Sequence, residues 1–270
     1  MKNWENYEQE CLHYLRKNFG NIAKFELLGG SRSSTSDILV TYPTHNFFIE
    51  VKSDISQCGQ FVLLPNFEKN QFDYSQKNKS PINLPIKEII SFMNSNFAHF
   101  SNPGTAGIKI NIPNGEKLFS QFIKQHYRRK NVYFFISGQF QLFPLDKIEQ
   151  FFSISAVYRQ KKSGSRETRE SFLNDVMFAI QKHIDLNQIE LGIINKRVFI
   201  SSELEINKLR FSSPYNNYIL SHKKNSLYEV RTLSKTNNAN VIFSISLNQN
   251  AKGLSKSEFL NLISLIPLNP

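Results

Sequence analysis

The stretch 46–52 restricts what this chain can fold into more than any other. In Asn46-Phe47-Phe48-Ile49-Glu50-Val51-Lys52, Phe47, Ile49 and Val51 alternate with Glu50 and Lys52. Side chains of a strand point alternately to its two faces, so Glu50 and Lys52 share one face and the apolar three share the other. That is the pattern of a β-strand with one face on a core. A second such run, 37–42, opens with Asp37, and Pro43-Thr44-His45-Asn46 between the runs reads as a tight turn. A hairpin of this kind brings Asp37 beside Glu50.

The surroundings read as a small mixed unit. Over 3–18, Trp4, Tyr7, Cys11, Tyr14 and Leu15 recur at helical spacing. Asn18-Phe19-Gly20 stops that helix, with Lys17 in its last turn. A strand is expected at 23–28 and another at 60–64, ending at Pro65, with a helix at 67–78. Gly29-Gly30-Ser31-Arg32-Ser33-Ser34-Thr35-Ser36 is a polar loop. Helices and short strands in this order make an α/β, or mixed α+β, fold. Further on, the pattern predicts a helix at 86–97 and paired strands at 133–137 and 139–143 around Gly138. It predicts a basic loop over 156–170 entering a helix at 171–184, then strands at 196–201, 215–221, 227–233 and 240–247.

Composition narrows the class. The chain has 270 residues and is 40% hydrophobic, enough for a sizeable core and against wholesale disorder. No apolar run approaches the roughly 20 residues that span a bilayer, and the polar N-terminus is not a signal peptide. Cys11 and Cys58, the two cysteines, have no metal-ligand spacing, and the six histidines form no such pair. These features predict a soluble, cytoplasmic protein. The net charge of +11 is unevenly placed. Residues 1–80 hold nine Lys or Arg and nine Asp or Glu, so the whole excess lies in 81–270. A neutral part with clustered carboxylates joined to a basic part suggests a catalytic region, 1–80, and a polyanion-gripping region, 81–270.

Asp37, Glu50 and Lys52 suit phosphodiester hydrolysis. Two carboxylates offer the hard oxygens that Mg²⁺ takes. The ion polarises a phosphoryl oxygen, and an ammonium group beside it positions water or stabilises developing negative charge.

With these residues in view, Ser36-Asp37-Ile38-Leu39-Val40 and Phe48-Ile49-Glu50-Val51-Lys52-Ser53 resemble the signature of the PD-(D/E)xK nucleases, with Ser36 in place of the usual proline. The resemblance covers roughly residues 5–75. It extends to archaeal Holliday-junction resolvases and to type II restriction endonucleases. It implies a mixed central sheet flanked by helices, with Asp37, Glu50 and Lys52 catalytic and a metal held by Asp37, Glu50 and Val51. Mg²⁺ is the implied ion, with Mn²⁺ as a substitute. Members often add an acid from the first helix. Glu8 lies within the apolar stripe, where a carboxylate needs a partner or a metal, and is favoured over Glu10 and Glu5. A glutamine after the lysine is also frequent, which points to Gln60 or the nearby Gln57.

Arg32, Ser33 and Ser34 place phosphate donors beside this site. Arg128, Arg129, Lys161, Lys162 and Arg166 stand in the densest basic stretches, and Lys223, Lys224, Arg231 and Lys235 lie among the last strands. All are candidates for DNA contact. Nearly 190 residues beyond a minimal nuclease core suit sequence recognition. The reading is therefore a type II restriction endonuclease cutting double-stranded DNA, a homodimer by the family's habit, with a separate DNA methyltransferase as its cognate. The rivals are a structure-specific nuclease of junction or repair type, and a non-catalytic DNA-binding protein on the same fold.

Overall fold

The computed structural model describes residues 3–28, 36–160, 164–233 and 238–267, without the side chains of Asn3 and Trp4. The chain divides into two compact units, Met1–Arg159 with Ala239–Pro270, and Gln160–Asn238. The boundary expected at residue 80 falls inside the first of these.

In the first unit, α1 (Asn3–Phe19) leads to β1 (Lys24–Leu27), β2 (Ile38–Tyr42) and β3 (His45–Val51). Then come β4 (Ile55–Asn66), β5 (Gln71–Tyr74), α2 (Leu84–Ser95), α3 (Phe97–Phe100) and β6 (Ile108–Lys109). Next are α4 (Gly115–Arg128), β7 (Val132–Ser137), β8 (Gln141–Pro144), α5 (Ile148–Phe151) and β9 (Phe152–Gln160). The second unit holds β10 (Ser165–Glu167), α6 (Leu173–Ile180), β11 (Glu190–Ile194), β12 (Arg197–Ser201), β13 (Arg210–Ser212), β14 (Asn217–Lys224) and β15 (Leu227–Leu233). The chain then returns to the first unit through β16 (Ala239–Leu247) and α7 (Lys256–Ser264).

The first sheet runs β1-β2-β3-β7-β8. The two-residue connection Pro43-Thr44 closes the β2–β3 hairpin, pairing Tyr42 with His45 and Ile38 with Ile49. On one face Ile38, Val40, Phe47 and Ile49 are fully buried, and they pack with Cys11, Leu15 and Phe19 of α1 and Phe259 and Ile263 of α7. Each such side chain contributes about 1.5–3 kcal/mol by leaving water. The other face carries Phe48, Glu50 and Lys52. Phe48 packs against a second, aromatic core that includes Phe61, Phe122, Tyr127, Phe135 and Phe243. In it the rings of Phe122 and Phe243 stack 4.1 Å apart. β7 lies parallel to β3 and fixes its end, since Lys52 N–H donates to Ile136 O at 2.9 Å.

The second sheet runs β5-β4-β16-β9-β6. The third belongs to the second unit and runs β11-β12-β15-β14-β13, with β10 against β15.

Two expectations fail here. Residues 67–78 form a turn and β5, not a helix. Asn70 takes a left-handed φ of 49°, which a helix interior rejects, and Phe72 is buried while Gln71 and Asp73 are exposed, the period of a strand paired to β4. The segment 156–160 continues β9 instead of looping, because Ala156 and Tyr158 alternate into the aromatic core. Helix α6 is also shorter than the expected 171–184. Among the described residues, no helix is long and apolar enough to cross a membrane.

Candidate active site

The end of β3 gathers the expected residues. Val51 N–H donates to Asp37 Oδ2 at 2.9 Å, so the carboxylate that precedes β2 is seated on the backbone of β3. Leu28 N–H donates to Asp37 O at 2.8 Å and ties the same residue to β1. One residue past the strand, Lys52 Nζ lies 2.8 Å from Glu50 Oε1, with both side chains 11% exposed. The alternation that puts these two on one face therefore survives the end of the strand. A cavity of about 650 Å³ opens beside them. Val51, Lys52, Ser53, Ser56 and Gln57 line one part of it, and Asn6, Tyr7, Glu8 and Glu10 of α1 line another.

The electrostatics are those of carboxylates crowded together. Burial, then the nearby Glu50 charge, pushes the Asp37 carboxyl up to about 6, against the opposing Val51 hydrogen bond. Burial, then Asp37 and Glu50, pushes Glu8 up to about 7. For Lys52, burial alone favours the neutral amine, but Glu50 outweighs it and the ammonium is held above its ordinary range. Glu8 is half-buried and Glu10 exposed.

No family model matches the chain, and a search of curated proteins finds no match. Among solved structures, HhaI endonuclease in complex with DNA is similar with a TM-score of 0.83 and 39% identity, over 98% of this chain and 100% of that one. The chain belongs to the type II restriction endonucleases. Its mixed α/β architecture is theirs, and it is on that footing a DNA-hydrolysing enzyme.

Restriction endonucleases generally use divalent metal ions. Among the described residues, no three His, Cys, Asp or Glu side chains form a complete metal cage. The donor set here is instead a pair of hard carboxylates, Asp37 and Glu50, with Glu8 within electrostatic reach. The raised carboxyls of Asp37 and Glu8 register a demand for positive charge that Lys52 alone does not meet. That set fits a small hard cation, which keeps several waters and takes one or two carboxylates.

Other residues expected in the restriction enzyme's site fall differently. Gln57 lines the cavity and its Nε2 donates to Gln60 Oε1 at 2.9 Å, whereas Gln60 is not among the lining residues. Arg128 lies on the ring of Tyr133, 3.8 Å from its centroid, and its Nε donates to Asp146 Oδ1 at 3.2 Å. Arg129, Arg166 and Lys224 are exposed. Lys223 Nζ sits 2.7 Å from Glu229, and Arg231 bonds Glu229 at 3.1 Å and Ser165 Oγ at 2.8 Å. Arg32, Ser33, Ser34, Lys161, Lys162 and Lys235 lie outside the described residues. In the sequence Lys130 stands only as part of the basic stretch 124–130, and nothing there singles out Tyr127 or Arg197. The buried positions Leu118, Phe119, Phe122, Ile123 and Tyr127 of α4 carry a helical period that marks Tyr127 as buried but not as a neighbour of Lys52.

Proposed function

We propose that this restriction endonuclease hydrolyses phosphodiester bonds of double-stranded DNA at a specific sequence, with Asp37, Glu50 and Lys52 as its catalytic set and Mg²⁺ as its ion. The observation that carries the proposal is the convergence at the end of β3, where Asp37 bonds Val51 N–H at 2.9 Å and Lys52 bonds Glu50 at 2.8 Å beside an open cavity. Asp37 and Glu50 would hold the ion, with Val51 at the same edge of the cavity. When bound, it supplies Lewis-acid polarisation of the scissile phosphoryl oxygen and lowers the pKa of the attacking water.

The chain's own residues do the rest. Lys52, charged and anchored on Glu50, orients the attacking water and balances negative charge as it develops. Glu8 faces the same cavity, and burial with the charges of Asp37 and Glu50 holds its carboxyl up at about 7 before any cation enters. Gln60 acts through Gln57, which it holds at the cavity wall. Mn²⁺, equally an oxygen-seeking ion, should substitute.

DNA contact falls to the basic surface. The second unit holds thirteen Lys or Arg against eight Asp or Glu. There Arg166, Arg169, Lys196, Arg197 and Arg231 line a cleft of about 1070 Å³, suited to a phosphate backbone. Lys223 and Lys224 add to the cations of this unit and Arg129 to those of the first, while Arg32, Ser33, Ser34, Lys161, Lys162 and Lys235 are assigned to DNA contact on sequence alone.

The test is incubation of plasmid with purified protein and Mg²⁺, followed by sequencing of the ends. One motif at every break is expected. Lys52→Ala and Asp37→Ala should lose cutting by a factor on the order of 10²–10³ while keeping DNA binding. Undiminished cutting by either variant would place the chemistry elsewhere. The time course also tests the homodimer implied by the family. Direct conversion of circle to linear DNA supports paired sites, whereas accumulated nicked circle assigns both cuts to one chain acting twice.

A further inference from the structure

We infer that Tyr127 is a positioning residue for the hydrolysis, its ring holding the Lys52 ammonium in place beside Glu50. The inference rests on the reading of Lys52 as catalytic and adds what fixes its direction. Tyr127 lies in the last turn of α4 and is 3% exposed, with its ring edge-on to Phe135 at 5.0 Å. Lys52 Nζ lies over that ring, 5.4 Å from the centroid, within the roughly 6 Å reach of a cation–π attraction. Lys130 Nζ lies over the same ring, also at 5.4 Å.

The ring cannot drift from the catalytic strand. Lys130 N–H donates to Tyr127 O at 2.9 Å, which tightens the turn after α4. The next residue, Asn131, clamps that turn onto β3: Phe48 N–H donates to Asn131 O at 2.8 Å, and Asn131 Nδ2 donates to Asn46 O at 2.7 Å. The helix end that presents Tyr127 is thereby fastened to the strand that presents Glu50.

A lysine stem has several rotatable bonds, and a single ion pair leaves it free to pivot. Glu50 gives Lys52 one anchor at 2.8 Å, and the ring face gives it a second in another direction. The two anchors differ in kind. Glu50 shares its charge with any cation that enters the site and then holds Lys52 less firmly, whereas the ring's quadrupole is unchanged. Tyr127 is thus the anchor that persists in the loaded enzyme.

The experiment replaces Tyr127 in the full-length enzyme by phenylalanine and then by phenylalanines with one, two and three ring fluorines. These are nearly isosteric, so packing and melting temperature should stay close to those of Tyr127→Phe. Ring fluorines withdraw the electron density that attracts a cation. Tyr127→Phe serves as the reference for the series, and relative to it kcat should fall stepwise with fluorine number, about tenfold in all, with KM unchanged. The same decline should appear in a Lys130→Met background. A flat series, or a decline that disappears with Lys130→Met, overturns the inference. Lys52→Ala run alongside separates the two claims: if it is inactive and the series flat, only the role of Tyr127 fails, and if it still cuts, the catalytic reading of Lys52 fails first.

Discussion

Val51 N–H donates to Asp37 Oδ2 at 2.9 Å, and this bond seats the Asp37 carboxylate on the backbone of the strand that carries Glu50. It uses an oxygen that the amide of asparagine also possesses. Asp37→Asn should therefore keep the bond to Val51, keep the fold and remove the charge. The expected outcome is a melting temperature no lower than wild type, with cleavage reduced by a factor on the order of 10²–10³. Calorimetry and a plasmid assay on the same preparation check both halves.

The raised carboxyls make a prediction about pH. In the metal-free protein Asp37 titrates at about 6, whereas its ordinary value is 3.8. The folded state thus favours the protonated acid. The stability this group contributes is complete below about pH 4 and is lost as pH rises to about 6. Glu8, raised from 4.5 to about 7, extends the same loss toward neutrality. Melting curves of wild type and Asp37→Asn should converge near pH 4 and separate by pH 7, the variant being more stable by on the order of 2–3 kcal/mol. Added Ca²⁺, a hard cation, should close the gap at pH 7 by stabilising the wild type. A gap that widens toward acid pH would contradict the crowding of these groups.

What the sequence disclosed follows from range. Asp37, Glu50 and Lys52 are read from a period-two alternation and one short turn, both local, and the structure brings them together as that pattern requires. The β2–β3 hairpin and β15 were legible for the same reason. The pairing of β3 with β7, and of β4 with β16, joins segments far apart in the chain, and no local pattern announces either. Hence the sheet that frames the site extends past residue 80, and the unit Gln160–Asn238 is set within the chain instead of at its end. The helix at 67–78 was misread because Phe72 and Tyr74 look equally apolar in either period, and only the partner strand β4 decides. Tyr127 was invisible as part of the site because its relation to Lys52 runs between a helix and a strand.

Gly59 lets β4 pass close to α4. Opposite it the register of β16 shifts between Ile242 and Ser244, a β-bulge, and Gly59 takes a φ of 106°. A Cβ there would lie 3.1 Å from Phe122 Cε1. The bulge also explains how Gln57 and Gln60, three apart on a strand, come to share a face and a 2.9 Å bond. Gly59→Ala should lower stability by about 1–3 kcal/mol through backbone strain alone. Urea unfolding should show a lower midpoint with unchanged slope. An unshifted midpoint would mean that the bulge relaxes at no cost.

Glu229 stands among cations on β15. Its side chain is 1% exposed, with Lys223 Nζ at 2.7 Å, Arg231 at 3.1 Å and Arg197 at 3.9 Å. Burial alone would raise its carboxyl, but the hydrogen bonds from Lys223 and Arg231 outweigh this and hold it below the ordinary range. Glu229→Gln keeps the shape and removes the charge that lets three cations stand together. Lys223 and Arg197 are each 44% exposed, so water screens part of the resulting repulsion. The loss should be about 1–3 kcal/mol, below that of a fully buried pair. It should be greatest in low salt, where the repulsion is least screened. Because the depressed carboxyl contributes stability above its ordinary value of 4.5 and loses it as pH falls, the variant and wild type should converge in acid. Hydrogen exchange locates the effect: protection should fall within 160–238 and stay unchanged in β2 and β3. Loss of protection in the catalytic strands as well would show that Glu229 supports more than its own sheet.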